Sequence, residues 1–155
     1  MTTLYTELSE KIEKHFYGDL KHLHRQTTNT EQLIRAIRLN IRNLAKELLI
    51  TIPILILKFI PGVNIFSTLL LFIVQAYYAG FGNMDYTLER HLTYRESVQF
   101  VKRNKGYAIG NGIVFMLFLL IPVLGIIIVL PLSVTAASKK TVQLMHEKNN
   151  LVYER

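Results

Sequence analysis

Two long stretches of this 155-residue chain are almost free of charge. Residues 48–84 carry one charged side chain, Lys58, and residues 106–138 carry none. Runs of this length exceed the core helices of a soluble domain and are too apolar to face water. Lipid is the solvent that suits them, and helices are the structures that satisfy their own backbone groups there. Composition agrees. Charged residues make up 19% of the chain, against about 25% in soluble domains. The length fits one domain over residues 1–155. There is no cysteine, which excludes disulfides, thiol chemistry and a zinc ribbon. The start, Met1 to Glu13, is polar and mixed in charge, so it is no signal peptide, and insertion relies on the internal apolar blocks.

Both blocks are interrupted. The first breaks at Ile60-Pro61-Gly62 and the second at Ile121-Pro122-Val123-Leu124-Gly125, and Pro with Gly marks a turn. Hairpin turns are therefore expected at Pro61, Gly62, Pro122 and Gly125. Segments 57–70 and 119–132 resemble each other weakly, as an apolar stretch, an Ile-Pro break and a second apolar stretch. The fold class expected is an all-α membrane protein: amphipathic helices plus two Pro-broken helical hairpins, at least one re-entrant. Block 106–138, drawn as one helix, would be about 50 Å long at 1.5 Å per residue. That exceeds one crossing of a core about 30 Å thick and falls short of two crossings and a turn. The first block is more ambiguous, because 63–81 nearly spans alone. Lys58 apart, Asn64 is the one polar side chain near either tip. A tip inside lipid must hide its backbone against protein or a water-filled cavity, which points to packed hairpins or a homo-oligomer.

The polar segments have their own patterns. Leu4, Leu8, Ile12 and Phe16 recur every four residues, which predicts an amphipathic helix over 3–16. Thr28 with Glu31, or Asn29 with Gln32, forms a capping box for a second helix. That helix has an apolar stripe, Leu33 to Leu48, and a basic stripe, Arg35, Arg38, Arg42 and Lys46. A basic amphipathic helix running into an apolar block suits an anionic membrane surface, so the basic stripe is expected to face lipid.

Net charge is +7. Such an excess fits nucleic acid, anionic lipid or an anionic substrate, and apolar blocks beside basic segments favour the last two, with no nucleic acid. Apart from Lys58, every Lys and Arg lies in 1–47, 85–105 or 139–155. Two hairpins return all three segments to one side, which the positive-inside rule makes cytoplasmic. Residues 85–105 are the most informative. They read either as an interfacial helix on lipid headgroups or as an anion-collecting surface at a pore mouth, with Arg90, Lys102, Arg103 and Lys105 as the anion-binding candidates and Asp85 and Glu89 as their structural partners. Gly106, Gly110 and Gly112 open the second block. The spacing of Gly106 and Gly110, with Gly112 beside them, predicts close helix packing at all three. His15, His22 and His24 cluster without convincing carboxylate spacing, so no metal and no cofactor are expected. Ser97, His91 and Asp85 fit no catalytic pattern, and no phosphate loop or nucleophile elbow is present. The chain reads as a non-enzyme.

Several of these residues together resemble a known family. Asp85-Tyr86, Arg90-His91, Tyr94, Glu96 and Arg103-Asn104-Lys105-Gly106, followed by Gly110 and Gly112, are similar to the C-terminal part of CysZ-type sulfate permeases, which share a domain with the etoposide-induced membrane proteins. Phe59-Ile60-Pro61-Gly62, Ile121-Pro122 and Pro131 extend the likeness, as do Leu4, Leu8, Glu10 and Glu13. The chain departs from the pattern at Thr87, where proline is common, and at Gly125, where asparagine is usual. Set against the family, it lacks the N-terminal transmembrane region. The resemblance implies a bacterial inner-membrane protein with hemi-penetrating hairpins, oligomeric assembly, and uptake of sulfate or a related anion for sulfur assimilation. The alternative is a non-transporting membrane scaffold, a partner-binding subunit, or an inactive fragment of a permease.

The apolar blocks predict integration rather than surface attachment. Alkaline carbonate extraction of membranes should leave the protein in the pellet, and its release into the supernatant would remove the membrane fold class.

Overall fold

The computed structural model describes residues 4–18, 25, 27–121 and 124–153. Regular structure among the described residues is entirely helical: α1 (Leu4–Tyr17), α2 (Asn29–Leu57), α3 (Asn64–His91), α4 (Tyr94–Arg103), α5 (Lys105–Leu119) and α6 (Leu124–Tyr153). Local chemistry explains the boundaries. At the start of α2 the Glu31 N–H donates to Thr28 Oγ1 and the Thr28 N–H donates back to Glu31 Oε2, both at 3.4 Å. Thr93 and Glu96 form the same reciprocal box before α4, and this one the sequence reading did not use. The α2–α3 turn contains Pro61 and Gly62. Gly62 has φ +87°, a conformation that only glycine adopts without strain. Pro122 and Val123 of the second expected turn lie outside the described residues.

Helix α3 is the axis, packing against α1, α2, α4, α5 and α6. Its closest neighbour is α5. A Cβ built on Gly80 would lie 1.8 Å from the Ala108 carbonyl oxygen, and one on Gly112 would lie 1.7 Å from that of Ala76. The two backbones therefore touch directly. The pairings 80 with 108 and 76 with 112 run antiparallel, so the α2–α3 turn and the end of α5 fall at one end of the bundle. The start of α2 and the charged segment 85–105 fall at the other.

The buried apolar core sits at the charged end. Leu39, Phe81, Met84, Leu88, Phe100, Val101, Ala108 and Ala137 form it. At the turn end the largest apolar side chains point outward: Phe59 is 88% exposed, Ile65 80% and Leu120 76%. Exposed apolar surface on this scale is what a lipid-facing or partner-facing surface looks like, not a water-facing one. Of the described helices, α3 is the one both long and apolar enough to cross a membrane. Its 28 residues extend about 42 Å. The apolar helix α5 has 15 residues and extends about 22 Å, short of a hydrocarbon core of about 30 Å.

Three glycine expectations change. A Cβ on Gly106 or on Gly110 would meet nothing within 4 Å, so of the three glycines expected to pack only Gly112 makes the tight contact, and Gly80 of α3 makes the other. Gly125 stands in the first turn of α6, where a Cβ would lie 2.1 Å from the Phe118 carbonyl oxygen. Its role is to let α6 close against α5.

These contacts separate the glycines by experiment. Gly80→Ala and Gly112→Ala must push α3 and α5 apart and should each cost about 2 kcal/mol. Gly110→Ala should be neutral or stabilising by up to about 1 kcal/mol, through helix propensity alone. Thermal melts in one detergent, followed by circular dichroism, measure the difference. Equal losses at all three positions would contradict the assigned contact.

Candidate functional site

Two buried ionic clusters occupy the charged end. Helix α1 builds the first. Thr6, Ser9 and Glu13 lie three and four residues apart, on one helical face, and this polar face is the buried one. Leu4 and Phe16 are exposed. The helix is thus turned polar side inward, opposite to an amphipathic helix on a soluble core. Its polar face meets the end of α3. Arg90 Nη2 donates to Glu13 Oε2 at 2.8 Å, and Arg90 Nη1 donates to the carbonyl oxygens of Tyr86 at 2.8 Å and Thr6 at 3.2 Å and to Ser9 Oγ. His91 Nε2 stands 2.8 Å from Glu13 Oε1. Thr6 Oγ1 donates to Glu89 Oε1 at 2.9 Å.

The second cluster joins α2, α3 and α4. Arg35 Nη2 donates to Asp85 Oδ1 at 2.9 Å and to Ser97 Oγ at 2.7 Å, while Nη1 reaches Asp85 Oδ2 at 3.3 Å. Arg35 is 6% exposed, so it leaves the basic stripe that was expected to face lipid. The stripe is one face of α2, but α3 and α4 cover that face only at its start. Farther along, Arg38 is exposed with its guanidinium 5.0 Å from the Tyr94 ring centroid, Arg42 is half-buried and bonds Asn43, and Lys46 is exposed. The Lys46 ammonium is held below the usual lysine value, by the like charge of Arg42 first, then by desolvation, then by Lys102.

The structure divides the four anion-binding candidates. Lys102, Arg103 and Lys105 are exposed around the α4–α5 junction. Arg90 is enclosed between α1 and α3, apart from them. Asn104 Nδ2 donates back to the Phe100 carbonyl oxygen at 3.0 Å, so α5 begins without a side-chain cap. Among the described residues no group of His, Asp and Glu is arranged to hold a metal. His22 and His24 of the histidine cluster lie outside the described residues, and His15 stacks edge-on against Phe16.

One polar link was not read from the sequence. Asn83 Nδ2 donates to Asn111 Oδ1 at 2.8 Å, and Asn111 Nδ2 donates to the Ser133 carbonyl oxygen at 3.0 Å. It ties α3, α5 and α6 inside the apolar zone. A signal existed: Asn83 and Asn111 are isolated amides within apolar blocks, and such residues bridge helices in lipid.

This arrangement, with apolar turns at one end and clustered charge at the other, is the setting for the comparison with known proteins. Residues 1–129 match the family described as sulfate transporter CysZ/etoposide-induced protein 2.4. The chain belongs to that family. No curated protein matches it. The match spans α1 to α5, both ionic clusters and the cations of the α4–α5 junction, and stops within α6 before Pro131. Membership places the chain among membrane proteins related to sulfate transporters.

Glu13 gives the site a pH signature. Burial pushes its carboxyl up, but hydrogen bonds from His91 and Arg90, with their charge, outweigh burial and bring it from 4.5 to about 2. A carboxyl depressed on folding stabilises the fold fully above its unfolded value and stops doing so as pH falls through its folded value. The docking of α1 should therefore weaken between about pH 4.5 and pH 2. Glu13→Gln should cost about 3 kcal/mol at pH 7, because it leaves Arg90 buried without its counter-charge. It should also remove this part of the acid dependence. Melts of both proteins at pH 7 and pH 3 test it, and an identical acid loss in the variant would rule the assignment out.

Proposed function

We propose that this protein passes sulfate or a related oxyanion across the bacterial inner membrane, with its charged end in the cytoplasm. Family membership over residues 1–129 is the observation that carries the reading. A dianion entering a membrane sheds hydration, which is costly without positive partners. Lys102, Arg103 and Lys105 are the collecting residues, exposed at the charged end. They raise the local anion concentration through their field, and the uncapped start of α5 adds backbone donors. Arg90 is assigned a different task, holding α1 on α3.

The hairpins divide the depth of the bilayer. The first is built on α3 and reaches the far face, where Lys58 at its turn finds water again. The second is re-entrant, because α5 extends only about 22 Å. Its turn ends within the apolar layer, where protein must cover its backbone. Assembly into a homo-oligomer supplies that cover.

Purified protein in liposomes should pass labelled sulfate. Arg103→Ala combined with Lys105→Ala should lower the flux roughly tenfold, the effect of about 1.4 kcal/mol of lost anion stabilisation, with helix content and melting unchanged. Added salt should lower wild-type flux by screening. Wild-type protein that folds and assembles yet passes no sulfate would remove transport by this chain and leave the scaffold reading.

A further inference from the structure

We propose that the groove between α5 and α6 holds one anionic phospholipid, with its phosphate at Lys140 and an acyl chain along the floor formed by Gly106 and Gly110. The groove has a volume of about 310 Å³. At about 30 Å³ for a water-sized group, that is space for on the order of ten such groups, which suits a stretch of one chain and not the ridge of a helix. Its floor is open because Gly106 and Gly110 carry no side chain and nothing would lie within 4 Å of a Cβ there.

The lining changes character along its length. Lys140, Tyr107 and Thr141 stand at the charged end, and Val114 and Leu132 at the apolar end. From Lys140 to Leu132 along α6 is about 12 Å. A charged mouth leading into an apolar cleft matches a molecule with an ionic head and a hydrocarbon tail. The sign of the head follows from the lining, which contains Lys140 and no acidic residue. Lys140 Nζ lies 4.7 Å from the Tyr107 ring centroid and donates to the neutral Gln143 at 3.1 Å, so its charge meets no carboxylate there.

A second observation points to a ligand. Thr141 is fully buried, lines the groove, and its hydroxyl has no hydrogen-bond partner among the described residues. A buried hydroxyl without a partner is costly, and a phosphate or ester oxygen would accept from it. A free dianion fits less well. Asn111, the one amide in the lining, already accepts from Asn83 and donates to the Ser133 carbonyl oxygen, and beyond Ser133 the remaining lining away from the charged end is apolar.

The proposal rests on the membrane placement given above and does not require sulfate flux. The test is native mass spectrometry of the detergent-purified chain titrated with phosphatidylglycerol or phosphatidylcholine of equal chain length. One phosphatidylglycerol per chain should be retained, roughly tenfold more tightly than phosphatidylcholine. Gly110→Leu places a side chain on the floor, where a Cβ meets nothing within 4 Å, and should abolish retention of both lipids, with no loss of melting temperature and the oligomeric state unchanged. Lys140→Ala should keep retention but lose the preference for the anionic lipid. Equal retention of the two lipids by the wild type, or retention undiminished in Gly110→Leu, would overturn the site. Displacement of the lipid by millimolar sulfate would make it a free-anion site instead. A change of oligomeric state in Gly110→Leu would make it a contact between copies. Loss of lipid retention beside intact sulfate flux would remove this inference alone.

Discussion

The bundle depends on the direct contact between the α3 and α5 backbones. In lipid, one apolar helix gains little by exchanging hydrocarbon for another apolar helix, so association rests on close packing and on polar contacts. Gly80 against Ala108 and Ala76 against Gly112 bring the two helices near enough for both. The contact fixes the antiparallel register, and that register brings Asn83 within 2.8 Å of Asn111. It also sets relative depth. With residue 76 level with 112, α5 ends about 7 Å short of the start of α3.

The polar end follows a different rule, since water competes there and buried charge is costly unless paired. Each buried cation answers that cost with several partners. Arg90 bonds Glu13, Ser9 and two backbone carbonyls, and Arg35 bonds Asp85 and Ser97. These clusters tie α1 to α3, and α2 to α3 and α4, which links elements far apart in sequence. The core of Phe81, Leu88 and Val101 lies in the same half. Uniqueness of structure is thus concentrated at the charged end, and the turn end presents apolar side chains outward.

Much of this was legible in the sequence. The uncharged blocks gave the all-helical class, and Pro61-Gly62 and the Thr28–Glu31 box gave a turn and a helix start. What periodicity cannot report is the neighbour. The stripe of Arg35, Arg38, Arg42 and Lys46 is one face of α2, but only its first member lies beneath α3 and α4. Glycine spacing has the same weakness. Gly106 and Gly110 carry the recognisable pattern and stay open, while Gly80 and Gly112 meet Ala108 and Ala76, alanines that nothing in the local sequence marks. Helix α1 was readable as amphipathic, but its orientation depended on Arg90 and His91 at the end of α3 offering its polar face a better partner than solvent.

The sorting of cations is itself a physical result. Of the lysines and arginines described, the two enclosed in ionic clusters are both arginines, and two of the three exposed at the α4–α5 junction are lysines. A guanidinium is planar, always charged and weakly hydrated, and it presents five donors, so it can enter a low-dielectric site and bond carboxylate, hydroxyl and carbonyl at once. An ammonium is compact and strongly hydrated, and it favours a position in contact with water. Arg90 and Arg35 have geometry that only such a fork fulfils, and replacing either by lysine would remove partners while keeping charge. In the function proposed, Lys102 and Lys105 act through field, which depends on charge more than on shape. A residue's sensitivity to the Arg-for-Lys exchange therefore separates cations that hold the fold from cations that gather an anion.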